Sequence, residues 1–181
     1  FDDVQIFRQP VEIERFAFNP PARDKDVPLL LHVPTNPQFK GTEYIVKAVE
    51  DLKRKGLKFQ FKLVRQLTQE EFFKEMSECD VYIDELCAGA HGMTAVEAMA
   101  MGKPTISWVR DNLVSSYPPD LPIVNGNPDT IRDVLEKLIK DAQLRHDIGV
   151  KSRKYVEKYH DTEIVIEELS QIYVDQLEKN I

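Results

Sequence analysis

The run Leu29-Leu30-Leu31-His32-Val33, set between Pro28 and Pro34, constrains the fold more than any other stretch of this chain. An apolar run interrupted only by His32 reads as a strand buried on both faces, as in parallel sheets. A parallel strand needs a crossover to reach its neighbour, and a helix usually supplies it. The next segment meets that demand, with Ile45, Val46, Val49 and Leu52 on one helical face and Gly56 as the stop. Leu57 to Leu63 then alternates apolar and polar, which predicts a half-exposed strand at a sheet edge. Thr68-Gln69-Glu70-Glu71 is a capping box opening a helix that buries Phe72, Phe73 and Met76. Further strands are predicted at Val81-Tyr82-Ile83, at Thr105 to Val109 and at Pro122-Ile123-Val124. Asn127-Pro128 reads as a helix start whose core face is Ile131, Val134, Leu135, Leu138 and Ile139. Two more helices are expected over 143–159 and 162–177, the last apolar at Ile166, Leu169, Ile172, Tyr173 and Leu177. The fold class is α/β, a parallel sheet with helices on both faces.

Charge and composition narrow the function. A net charge of −7 argues against a surface that tracks nucleic-acid phosphates. No apolar run approaches a membrane span, and Phe1-Asp2-Asp3 is no signal peptide. The chain starts without Met in what reads as a strand over 4–7, as expected for a fragment of something longer. Cys79 and Cys87 flank a strand and lack His or Cys at ligand spacing, so buried reduced thiols in a cytoplasmic protein are expected. No Gly-x-Gly-x-x-Gly, Walker loop or nucleophile elbow is present.

The stretch Gly89 to Pro104 carries the clearest functional signal. Two glycines three apart lead into a small-residue helix that stops at Gly102 before Lys103-Pro104. Glu97 is the only fixed charge between Leu86 and Gly102. A dry unpaired carboxylate there costs several kcal/mol, so Glu97 reaches a solvent-filled cleft, finds a partner, or accepts ligand hydroxyls. Ligands of open α/β sheets gather outside the carboxyl ends of strands, which directs attention to Asp84 and Glu85 as well. Upstream, Lys40-Gly41 before a helix is either a phosphate cradle built from backbone N–H groups and an ammonium, or a surface lysine.

The run Glu97-Ala98-Met99-Ala100-Met101-Gly102-Lys103-Pro104 resembles the signature of the retaining glycosyltransferases of family 4. That family places another Glu before this one with seven residues between them, a position held here by Gly89, which is a departure. The resemblance spans nearly the whole chain and implies the Rossmann-like, C-terminal donor-binding half of a GT-B glycosyltransferase. It divides residues 1–181 into a lead-in strand and loop (1–28), an α/β core (29–160) and a C-terminal helix (161–181). The N-terminal acceptor domain would lie outside these residues, and any peripheral membrane contact would be made through it.

The resemblance implies retaining transfer of a sugar from a nucleoside diphosphate sugar to an unknown acceptor, with no metal or other cofactor. It assigns Glu97 to the donor ribose and Lys40 with Gly41 to the diphosphate. Gly89, His91, Gly92, Met93 and Thr94 would contact the donor around the helix start. The family's loop arginine is missing, since no Arg occurs from Asp24 to Lys53. Arg65 either lies near the nucleobase or is a solvated charge. Asp84 or Glu85 could replace the missing Glu, or form a solvated pair; Glu85 is the catalytic candidate of the two. His91, where the family has an aromatic, either reaches a phosphate or sugar oxygen in catalysis or is a packed histidine. A non-catalytic nucleotide-sugar-binding domain and a GT-B-type sugar-nucleotide epimerase are the alternatives.

Overall fold

The computed structural model describes residues 7–179. The expected strand over 4–7 falls largely outside the described residues. Five parallel strands form one sheet in the order β2-β1-β3-β4-β5. They are β1 (Leu29–His32), β2 (Gln60–Leu63), β3 (Val81–Ile83), β4 (Thr105–Ser107) and β5 (Val124–Asn125). The α-helices are α1 (Thr42–Arg54), α2 (Gln69–Glu78), α3 (Met93–Ala100), α4 (Asp111–Val114), α5 (Ile131–Lys140), α6 (Ala142–Tyr159) and α7 (Thr162–Lys179).

The two-residue period of the strands sorts the core onto two faces. Leu30, Val81, Ile83 and Ile106 pack with α1 and α5 through Ile45, Val49, Leu52, Leu135 and Leu138. Leu31 and Tyr82 point the other way, into Met76, Val96, Met99, Tyr155 and Val156 from α2, α3 and α6. The continuous apolar reading of β1 thus holds, and the alternating β2 lies at the edge with its side chains half covered.

Several boundaries differ from expectation. The β4 strand ends at Ser107 and β5 begins only at Val124. The α5 helix starts at Ile131, one turn past Asn127-Pro128, because the Asn127 side-chain oxygen accepts from the N–H of Asp129 and Thr130 and closes a separate turn. The short α4 was not legible as a helix, and Cys87 is only half-buried whereas Cys79 is fully so. On α7, Val165 is the buried contact, while Ile166, Tyr173 and Leu177 stand 55%, 65% and 67% exposed.

Two features position the site. Val11 bridges Asp161 through backbone bonds with His160 and Thr162, pinning the lead-in segment to the α6–α7 junction. The α3 helix, at the centre of the sheet's carboxyl end, is held by Gly149 of α6, where an added Cβ would stand 2.2 Å from the Gly102 carbonyl oxygen.

Candidate functional site

The carboxyl ends of β1 and β3 and the amino end of α3 converge on Asp84. Its Oδ1 accepts from Lys40 Nζ at 2.5 Å and from the Thr94 hydroxyl at 3.0 Å. Lys40 also contacts Glu85 Oε1 at 2.9 Å. Burial pulls the Lys40 ammonium down, but the two carboxylates beside it leave its pKa above the ordinary lysine value. Beneath this cluster, His32 donates from Nδ1 to the Ile83 carbonyl (2.8 Å) and accepts at Nε2 from the Thr42 hydroxyl (2.9 Å). Burial lowers its pKa to about 4.

This geometry changes the expected use of the Lys40-Gly41 loop. The N–H groups of Lys40, Gly41 and Thr42 donate to the carbonyls of Asn36, Gln38 and Pro37. They are spent inside the loop rather than held open for an anion. Gly41 is required for another reason: φ is +71°, and a Cβ would stand 2.9 Å from Leu86 Cβ. The open amides lie instead at α3, where Gly92, Met93 and Thr94 donate their N–H groups to nothing among the described residues. Such a helix start favours negative charge. Glu85 lies against it, with Oε1 3.3 Å from where a Cβ on Gly92 would be.

A cleft of about 700 Å³ opens beside this cluster, lined by Lys40, Arg65, Gln66, Thr68, Phe72 and Thr94 among others. Glu97 sits one turn beyond Thr94 on α3 and therefore on the same side of the helix. Its carboxylate has no hydrogen-bond or ion-pair partner among the described residues. Burial raises its pKa, Arg15 opposes the rise and Asp84 adds to it.

Of the residues named from sequence, the structure thus groups Lys40, Glu85, Gly92 and Thr94 around Asp84, with Arg65 in the cleft wall. Met93 begins α3 and is exposed. Gly89 adopts φ +84°, and a Cβ there would fall 2.6 Å from Arg110 Cγ and Nε. Arg110 also donates its backbone N–H to the Gly89 carbonyl at 3.0 Å. An arginine from the loop after β4 therefore lies over the glycine, a juxtaposition no local pattern in the sequence announces. Its guanidinium makes no ion pair among the described residues.

His91 belongs to a different neighbourhood. It lines a second cavity of about 380 Å³ with Arg8, Ser116, Tyr117, Tyr155 and His160. Its ring lies 4.9 Å from Tyr117 and 6.3 Å from His160, centroid to centroid. Burial lowers its pKa, and that of His160 to about 4. His160, Tyr155 and Arg8 were not singled out from sequence, because 64 residues or more separate them from His91.

No protein-family model matches the chain, and no curated protein matches its sequence. Solved structures match its fold. Sucrose-phosphate synthase from Thermosynechococcus elongatus superposes with a TM-score of 0.69 at 17% identity, covering 97% of this chain and 53% of that one. HepE from Anabaena in complex with UDP-glucose gives 0.68 at 14% identity, covering 94% and 57%. WaaG, a glycosyltransferase involved in lipopolysaccharide biosynthesis, gives 0.63 at 16%, covering 93% and 55%. The fold is the Rossmann-like one of the C-terminal domains of GT-B glycosyltransferases, and the chain spans about half the length of these structures. Among the described residues no helix is long and apolar enough to cross a membrane.

Proposed function

We propose that this chain is the nucleotide-sugar-binding half of a retaining glycosyltransferase of family 4 type. The observation that carries the reading is Glu97, a half-buried carboxylate without a hydrogen-bond or ion-pair partner among the described residues, one turn beyond Thr94 of the cleft wall on α3. Two vicinal ribose hydroxyls would each donate to it, at about 1.5–3 kcal/mol for a well-made charged hydrogen bond. HepE with UDP-glucose shows that a protein of this fold holds such a donor.

In this reading the diphosphate lies at the open amides of Gly92, Met93 and Thr94, with Arg110, which makes no ion pair among the described residues, nearby. Lys40 acts less as an anchor than as the clasp that holds Asp84 and Glu85 in place. During transfer the bond from the anomeric carbon to the diphosphate oxygen breaks, and an acceptor hydroxyl bonds to that carbon from the same face, its proton passing to the departing diphosphate oxygen. The oxygen of the leaving group takes the electron pair, and its charge is stabilised by fixed dipoles already in place. The Glu85 carboxylate faces the positive charge that develops on the sugar. Binding needs no divalent metal, so a chelator leaves it unchanged. The acceptor and the other cleft wall belong to a second domain, and residues 1–181 alone bind donor without transferring it.

Calorimetric titration of the chain with UDP tests this. Glu97→Ala should weaken binding about tenfold, equivalent to about 1.4 kcal/mol, with the unfolding midpoint retained. Unchanged affinity would sink the assignment. A non-catalytic binding module is the second reading, favoured by Arg110 over Gly89, where the family has a carboxylate; absence of transfer by the full-length protein would support it.

A further inference from the structure

The second cavity makes a demand that the nucleotide reading leaves unmet. Among the described residues His91 Nδ1 and Nε2, His160 Nε2 and the Tyr155 hydroxyl are buried without a hydrogen-bond partner. Tyr155 is 2% and His160 4% exposed. Buried polar groups are seldom left so, and four around one cavity of about 380 Å³ call for an occupant. The polarity of one is fixed by its neighbour. His160 Nδ1 lies 2.9 Å from the Gln9 carbonyl, which can only accept, so Nδ1 carries the proton. In the neutral ring Nε2 is then a lone pair, and its partner has to be a donor. His91, neutral, offers one donor and one acceptor, and Tyr155 can do either. The cation at hand is already engaged, since Arg8 pairs with Glu168 at 3.5 Å and lies over the Tyr159 ring. Tyr117, Tyr155 and Leu113 add apolar surface.

We propose that this cavity binds the ring of an uncharged saccharide, whose hydroxyls supply donor and acceptor together and whose C–H faces pack on the tyrosines. A phosphate without protons would present acceptors to a lone pair and is disfavoured. The site shares only His91 with the proposed donor contacts, so it stands or falls separately from nucleotide binding.

The test uses the whole chain. Imidazole NMR signals are followed while methyl glycosides of glucose, galactose and mannose, and N-acetylglucosamine, are added, with inorganic phosphate in parallel. At least one pyranoside should shift His91 and His160 saturably and leave His32 unmoved. Tyr155→Phe and, separately, Ser116→Ala should each weaken that binding, the former about tenfold. No saturable shift with any pyranoside would mean that water fills the cavity, and overturns the proposal. So does a response to phosphate alone, or pyranoside binding undiminished in both variants.

Discussion

Two buried histidines flank the amino end of α3, and burial lowers the pKa of each to about 4. His32 has both ring nitrogens satisfied, by Ile83 and Thr42. His160 has one bonded, to Gln9, and one without a partner among the described residues. The neighbourhoods differ in the same sense. Around His32 the ionised groups are in contact, with Lys40 between Asp84 and Glu85. Around His160 the neighbouring ring of His91 and hydroxyl of Tyr155 are incompletely bonded among the described residues, and the charged group at hand, Arg8, is paired with Glu168. Burial and titration alone would rank the two histidines as equals; the hydrogen bonds of the rings themselves separate them, although on the charged side Asp84 Oδ2 is also buried without a hydrogen-bond partner among the described residues.

The charged side can be broken most forcefully. Asp84→Ala leaves the Lys40 ammonium buried beside Glu85 alone, and loss of one member of a buried pair typically costs about 3–5 kcal/mol. Denaturant unfolding should show that loss. A stability unchanged to within about 0.5 kcal/mol would mean that Lys40 reorients to solvent and that the cluster is not a clasp.

Acid acts on both sides. Above pH 6.5 both rings are neutral folded and unfolded, so their contribution is fully present. As pH falls from 6.5 towards 4, the unfolded chain takes up protons that the fold refuses, and stability is lost. The loss is on the order of 3 kcal/mol per histidine at most. His32→Gln and His160→Gln should each flatten this limb of the stability–pH curve. A saccharide in the second cavity should alter the contributions of His160 and its neighbour His91 and leave that of His32 unchanged.

Glu85→Gln sharpens the comparison on the ligand side. It removes negative charge from the mouth of α3 while keeping the side chain's shape, so UDP should bind a few-fold tighter, by up to about 1 kcal/mol. The gain should shrink in high salt. Weaker binding would show that Glu85 orders the site more than it repels the anion. A loss of stability, read as a lower unfolding midpoint, is expected at Gly89→Ala. A side chain at φ +84° costs about 1–2 kcal/mol, and the nearest obstacle is the flexible Arg110, which can move aside.

Much of the architecture was legible because its causes are local. The apolar β1, the alternating edge strand β2, the Thr68–Glu71 capping box and the Gly102 stop are each written in a few consecutive residues, and each was found in place. The start of α5 was misread for a reason equally local, since Asn127 closes a turn of its own before the helix begins. At the site, Glu97 was identifiable as the lone charge in a small-residue helix. By itself, then, the sequence determined the order of elements, the class of sheet and one carboxylate to watch. Tertiary structure alone decided the rest: that Lys40 is clasped by Asp84 and Glu85, that Arg110 lies over Gly89, and that His160 and Tyr155 meet His91. Propensity and periodicity act within a few residues, whereas these contacts join positions 21 to 69 apart. Such contacts form only when the sheet brings its strand ends together, and no short-range pattern encodes which side chains will meet there.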